Sequence, residues 1–168
     1  MKQLLVFSVF ALALLSCSGG NRQATSALQA LELDSLLVVA DKEVDKTVTV
    51  VGYVTHTCKH SGKKCFLTGE SQKVTLRVEA GSEIGGFSSE LVGSKLAVTG
   101  ILREHRLSQE YIDKREDDVK QLQGQEGNAE ACAAELNNIS DMRKWMEDHD
   151  RDYFVIYYMD GLKYEKLD

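Results

Sequence analysis

The chain contains no proline, so its turns must be made by glycine, asparagine and aspartate. Positive charge is also short. Lys and Arg number 20 against 26 Asp and Glu, a net charge of −6. That balance weighs against nucleic acid as a partner, because displacing phosphate counterions needs a basic patch. No phosphate-binding loop, cofactor fingerprint or Ser/His/Asp order is present. The acid pairs Asp117-Asp118 and Glu147-Asp148 read as solvated helix surface. Nothing here points to an enzyme. Long apolar runs are scarce as well. The run Leu4 to Leu15 is too short to cross a membrane as a helix, which takes about 20 residues.

That run follows Met1-Lys2-Gln3 and ends in Leu14-Leu15-Ser16-Cys17. One positive charge, an apolar stretch, a small residue and then cysteine resemble the bacterial lipobox. The resemblance implies cleavage after residue 16, a diacylglyceryl thioether on Cys17 and an acylated amino group. Several acyl chains on one residue hold a protein to a membrane stably, where a single chain is marginal. Ser18 rather than aspartate follows Cys17, which in a Gram-negative bacterium favours the outer membrane, facing the periplasm. Residues 17–34 are expected to be the lipidated cysteine and a tether, opening with the small polar stretch 18–27. The domain is expected over 35–168, long enough for one core.

From Thr47 the hydrophobic period is two. Val48, Val50 and Val54 share a face, and continuing that parity places His56, Cys58 and His60 with them. Gly52 interrupts the valine face at an expected bend. Short strands follow at 65–68, 73–80 and 95–102, with a helical turn near 87–91. Asp34 is expected to cap a helix over 35–40, with Leu36, Leu37 and Val39 turned inward. Beyond residue 103 the spacing of Leu107, Tyr111, Arg115, Val119 and Leu122 becomes helical. After a break at 123–128, Cys132, Leu136 and Ile139 share a stripe, and a third set of turns runs through Trp145. Tyr153 to Met159 returns to strand character, and Asp160-Gly161 reads as a two-residue hairpin turn. The fold class is mainly β. It is expected to be an OB-like small β-barrel of five to six strands, with a two- to three-helix insertion at about 103–150 before a C-terminal hairpin.

The run from Asp45 to Leu102 contains DKTVTVVGYVTHTCKHSGKKCFL, KVTLRV and SKLAVTGIL. With the lipobox and the late helical segment, it resembles the uncharacterised OB-fold lipoproteins of bacteria. The resemblance implies the fold and the compartment, and no particular activity.

The densest local chemistry is VTHTCKHSGKKCFL. His56, Cys58, His60 and Cys65 are ligand types suited to zinc or copper(I). On an unbroken strand the two histidines stand about 13 Å apart, so a shared ion requires a bend near Cys58. Alternatively, Cys58 and Cys65 end one strand and start the next, and an oxidising compartment lets them form a disulfide or a redox-active pair. In a third reading both thiols stay reduced, with Cys58 packed on the valine face. Lys59, His60, Lys63 and Lys64 form a small basic tip on an acidic protein, placed to meet an anionic ligand or partner. Cys132 reads as core, or as a further ligand if its helix folds over the turn. Tyr153, Phe154, Tyr157 and Tyr158 offer a stacking surface, half of it core by alternation. OB barrels bind ligands on the face of their second and third strands. The expected function is therefore a lipid-anchored envelope binding module for a small ligand or envelope protein. Two alternatives stand beside it: a metal or thiol-redox protein using His56, Cys58, His60 and Cys65, and a structural partner of an envelope assembly acting through the acidic helices.

Overall fold

The computed structural model describes residues 30–123 and 127–167. The signal segment, Cys17 and the tether as far as residue 29 lie outside the described residues. Six strands form one sheet in the order β1 (Leu31–Glu32), β2 (Thr47–Thr57), β3 (Lys64–Thr68), β4 (Thr75–Ala80), β6 (Tyr153–Leu167), β5 (Lys95–Ser108). β5 also pairs with β2, which closes β2 to β6 into a barrel and leaves β1 outside. β4 and β6 run parallel, as do β1 and β2, and the other neighbours are antiparallel. This is an OB-like barrel, as expected. Its interior is apolar and close-packed: Val50, Leu67, Val78, Leu96, Val98 and Met159 are all fully buried.

β2 carries two partners in succession. Its first half, Thr47 to Tyr53, pairs with β5, and its second, Tyr53 to Thr57, pairs with β3. Gly52 sits where the partners change, and a Cβ there would lie 2.9 Å from the Thr68 carbonyl oxygen. The expected bend at this glycine thus coincides with a tight approach of β3.

The helix α1 (Leu33–Glu43) starts two residues before the expected position. Leu33, Leu36 and Ala40 form its buried stripe and join the barrel core, while Leu37 is 41% exposed. The earlier start sets the phase, so Leu37 turns outward where the sequence placed it inward. Asp34 lies within the first turn rather than ahead of it. Its carboxylate accepts from the Ser71 amide at 3.0 Å and the Ser71 hydroxyl at 2.7 Å, tying the helix to the β3–β4 turn. Those bonds hold its carboxyl below the ordinary value.

Two further expectations give way. β5 does not end at Leu102. Arg103 to Ser108 continue in register against Tyr158 to Tyr153, so the two strands leave the barrel as a ribbon. The insertion begins at Gln109 and holds two helices, α2 (Gln109–Gln123) and α3 (Ala129–Asp148), the second unbroken through Ser140 and Asp141. Nor is there a C-terminal hairpin. β6 runs on through Asp160-Gly161, and the register passes from Gly100↔Gly161 to Thr99↔Lys163, leaving Leu162 as the extra residue of a bulge. A Cβ at Gly161 would stand 2.9 Å from Val78 Cγ1. The Asp-Gly pair serves a kink that bends the last strand around the barrel, not a reversal.

The insertion has its own small core. Leu107, Ile112, Val119, Cys132, Ile139 and Met146 are buried together, with Trp145 edge-on to Phe154 at 5.2 Å between ring centres. It is fastened to α1 by a polar clasp. Arg151 donates to both carboxylate oxygens of Asp41, at 2.5 and 3.2 Å, and the Tyr157 hydroxyl donates to the same carboxylate. Among the described residues, no helix is long and apolar enough to cross a membrane.

Candidate functional site

The His/Cys stretch is divided by a bulge. Val54 opposes Leu67, but His56 opposes Phe66, so Thr55 is the extra residue on β2. A bulge shifts every later side chain to the other face. Thr57 is therefore buried at 3% exposure and points inward against Cys65, while His56 points out. The parity that grouped His56, Cys58 and His60 with the valines stops at Thr55.

The expected ligand set is not assembled. Cys65 is fully buried in the barrel core, and Cys58 and His60 lie in the turn beyond β2. Cys58, Cys65 and Cys132 are free thiols. The disulfide expectation fails for a geometric reason: the residue facing Cys65 across the ladder is Thr57, not Cys58. Among the described residues, no group of three or more His, Cys, Asp or Glu side chains is arranged to hold a metal ion. Cys132 packs in the core of the insertion, apart from the other two.

The two barrel-end thiols differ chemically. Burial pushes Cys65 up to about 11. Cys58 sits below the ordinary thiol value. The chief cause is the Ser61 hydroxyl, which donates to its sulfur at 3.5 Å, followed by the Ser61 and His60 amides and the charge of Lys64. A cleft of ≈ 210 Å³ beside this turn is lined by Thr57, Cys58, Lys59, Gly62, Phe87 and Ser89. The turn itself is braced: Phe87 N–H donates to the Gly62 carbonyl at 2.7 Å and Lys63 Nζ to that of Gly85 at 2.6 Å. Lys64 is 3.9 Å from Glu79. Of the basic tip, Lys59 and His60 remain exposed.

The pairing registers assemble a second feature. His56 opposes Phe66, Phe66 opposes Arg77, Arg77 opposes Tyr158, and Tyr158 opposes Arg103. One continuous row thus crosses all five barrel strands on the outer face, alternating a cationic or imidazole group with an aromatic ring. His56 and Phe66 touch at 5.8 Å between ring centres, tilted by 43°. The Arg77 guanidinium lies over the Tyr158 ring at 5.0 Å, a cation–π contact. Beside the row run the carboxylates. Glu79 is 3.2 Å from Arg77 Nε, and Arg103 is paired with Asp160 at 2.8 Å and Asp45 at 2.5 Å. The two carboxylates raise the Arg103 guanidinium above its already high ordinary value.

The row joins residues that are remote in sequence, so no local motif announces it. Alternation in Lys73–Ala80 already places Arg77 outward, and Tyr158 belongs to the expected aromatic surface. Phe66 and Arg103 carry no such marker. The other aromatics of β6 go elsewhere: Phe154 enters the insertion core, and Tyr157 turns to Asp41.

No protein-family model and no curated protein matches this chain. Among solved structures it is similar over 51% of its length to a chain described as a "putative aspartyl-tRNA synthetase" from Leishmania major Friedlin, at 15% identity and a TM-score of 0.33. The similarity spans 18% of that much longer chain.

Proposed function

We propose that this protein is a lipid-anchored binding module of the bacterial cell envelope, held through Cys17 at the periplasmic face of the outer membrane. Its OB-like barrel meets a ligand on the outer face. The observation that carries the reading is the row His56–Phe66–Arg77–Tyr158–Arg103, which lies over the second and third barrel strands and extends to the other three. OB barrels bind on that face of the sheet. The step from fold to binding is an analogy, and the accessible rings and guanidinium–carboxylate pairs support it. The basic tip Lys59, His60, Lys63 and Lys64 flanks one end of the row.

Two measurements test the reading. Mass spectrometry of the protein extracted from bacterial membranes should find Cys17 as an acylated N-terminus, and Cys17→Ser should release the protein from the membrane. A photo-crosslinking amino acid at position 66 should yield a discrete adduct in cells, lost with Tyr158→Ala. A soluble wild-type protein, or adducts no different from those of a crosslinker at exposed Val92, would sink it.

A second reading has one observation in its favour. Residues 109–152 hold 13 acidic and 6 basic side chains, a balance of −7 in a chain whose net charge is −6. The insertion therefore carries the whole negative charge and offers a basic envelope protein a docking arm. Its test is a co-purified partner lost on deletion of residues 109–150 and retained by Tyr158→Ala.

A further inference from the structure

Resting on the reading of the barrel as a binding module, we infer that the outer row takes a neutral oligosaccharide. The row's charges are already matched. Arg103 is paired twice, with Asp160 and Asp45, and both Arg77 and Lys64 lie against Glu79. A polyanion gains its affinity from cations whose counterions it can release. Here it would find rings without spare cations, and carboxylates beside them. The acidic insertion adds to the repulsion.

A chain of sugars meets the opposite situation. Each hydroxyl both donates and accepts, and a guanidinium beside a carboxylate presents a donor fork next to an acceptor pair. Arg77 with Glu79, and Arg103 with Asp160, place two such donor–acceptor sets on either side of Tyr158. Arg77 Nε is buried without an aligned acceptor, so its guanidinium is not locked to Glu79. The aromatic groups supply apolar faces for the C–H side of the rings. Adjacent strands lie about 4.8 Å apart, so the row offers one side chain per strand at about the advance of one sugar ring along an extended chain. Phe66 and Tyr158 then fall under alternate rings, and the polar sets under the rings between.

The test uses the full chain in detergent micelles, titrated separately with cellohexaose, chitohexaose, maltohexaose, a hexagalacturonate and a thymidine dodecamer. At least one of the three neutral hexasaccharides should bind, with an affinity unchanged when salt is raised severalfold. Tyr158→Ala and Arg77→Ala should each weaken that binding by about tenfold or more without moving the thermal unfolding midpoint. No binding by any neutral hexasaccharide overturns the inference. So does binding indifferent to both substitutions, or tighter, salt-sensitive binding of the galacturonate or the dodecamer. The two readings fail separately. A Tyr158-dependent adduct at position 66 on a component that carries no sugar leaves the binding module standing and removes the oligosaccharide.

Discussion

The barrel and the insertion are held together by different physics. The barrel core is built from Val, Leu and Met at or near zero exposure, drawn from every barrel strand and from α1. The insertion buries a single seam along α2 and α3, and ion pairs decorate its flanks: Arg115 with Glu135 at 2.5 Å, and Arg143 with both Asp113 at 2.7 Å and Glu116 at 2.6 Å. Exposed pairs of this kind contribute between nothing and about 1 kcal/mol each, whereas a fully buried leucine contributes several times that. The barrel's shape therefore follows from volume filling. The position of the insertion relative to the barrel hangs on the β5–β6 ribbon and the Asp41 clasp.

The largest effect should come from the barrel. Leu96→Ala removes a side chain at 0% exposure and should cost about 3 kcal/mol in denaturant unfolding. Ile139→Ala, at 2% exposure in the insertion seam, should cost about 2 kcal/mol at most, because a two-helix seam relaxes around the gap. Its signature should be local: hydrogen exchange quickens over 109–148 while barrel amides keep their protection. If exchange rises equally in both regions, the molecule is one cooperative unit and the contrast is void.

The clasp gives a smaller, pH-dependent term. Asp41 sits below its ordinary value because Arg151, and then Tyr157, bond to its charged form. A depressed carboxylate contributes stability above its unfolded pKa, about 3.9, and loses it as pH falls through the folded value. Arg151 also overlies Trp145 at 5.6 Å, so indole fluorescence should report the release of the clasp below about pH 4. Arg151→Ala should abolish that acid transition and cost less than about 1 kcal/mol at neutral pH, given how exposed Asp41 is. An unchanged acid transition in the variant would assign it to other groups.

The smallest effect leaves stability untouched. Alkylation should reach Cys58 first and Cys65 only as the barrel opens, given their opposite displacements from the ordinary thiol value. Ser61→Ala should slow the labelling of Cys58. Equal rates for Cys58 and Cys65 would mean that the barrel end is open.

What could be read from the sequence follows from which interactions are local. The strand positions were legible because a two-residue period is imposed by each strand's own pleat, as in Val74, Leu76 and Val78. The two helices were legible from Val119 and from Cys132 to Ile139 for the same reason. The bulge at Thr55 was not, because Val-Thr-His-Thr suits a straight strand and a bulged one equally well. That one residue decides the face of His56 and the partner of Cys65. Asp160-Gly161 misled because the same conformational freedom serves a hairpin and a bulge. Part of the site was visible, in Tyr158 and in the outward position of Arg77. The row itself is a property of register, set by pairings between residues 56, 66, 77, 158 and 103, and no single segment contains it.

The order of the strands along the chain also has a temporal side. β6 is the last element, and it pairs with both β4 and β5. Until residues 153–167 are in place, those two strands present unpaired backbone edges, the kind that recruits other chains. Their partner lies some 45 to 75 residues farther along, so closing the barrel requires a long loop to be ordered first. A chain cut anywhere before Tyr153 is therefore not a smaller barrel but an open sheet, and its natural fate is to stick to itself.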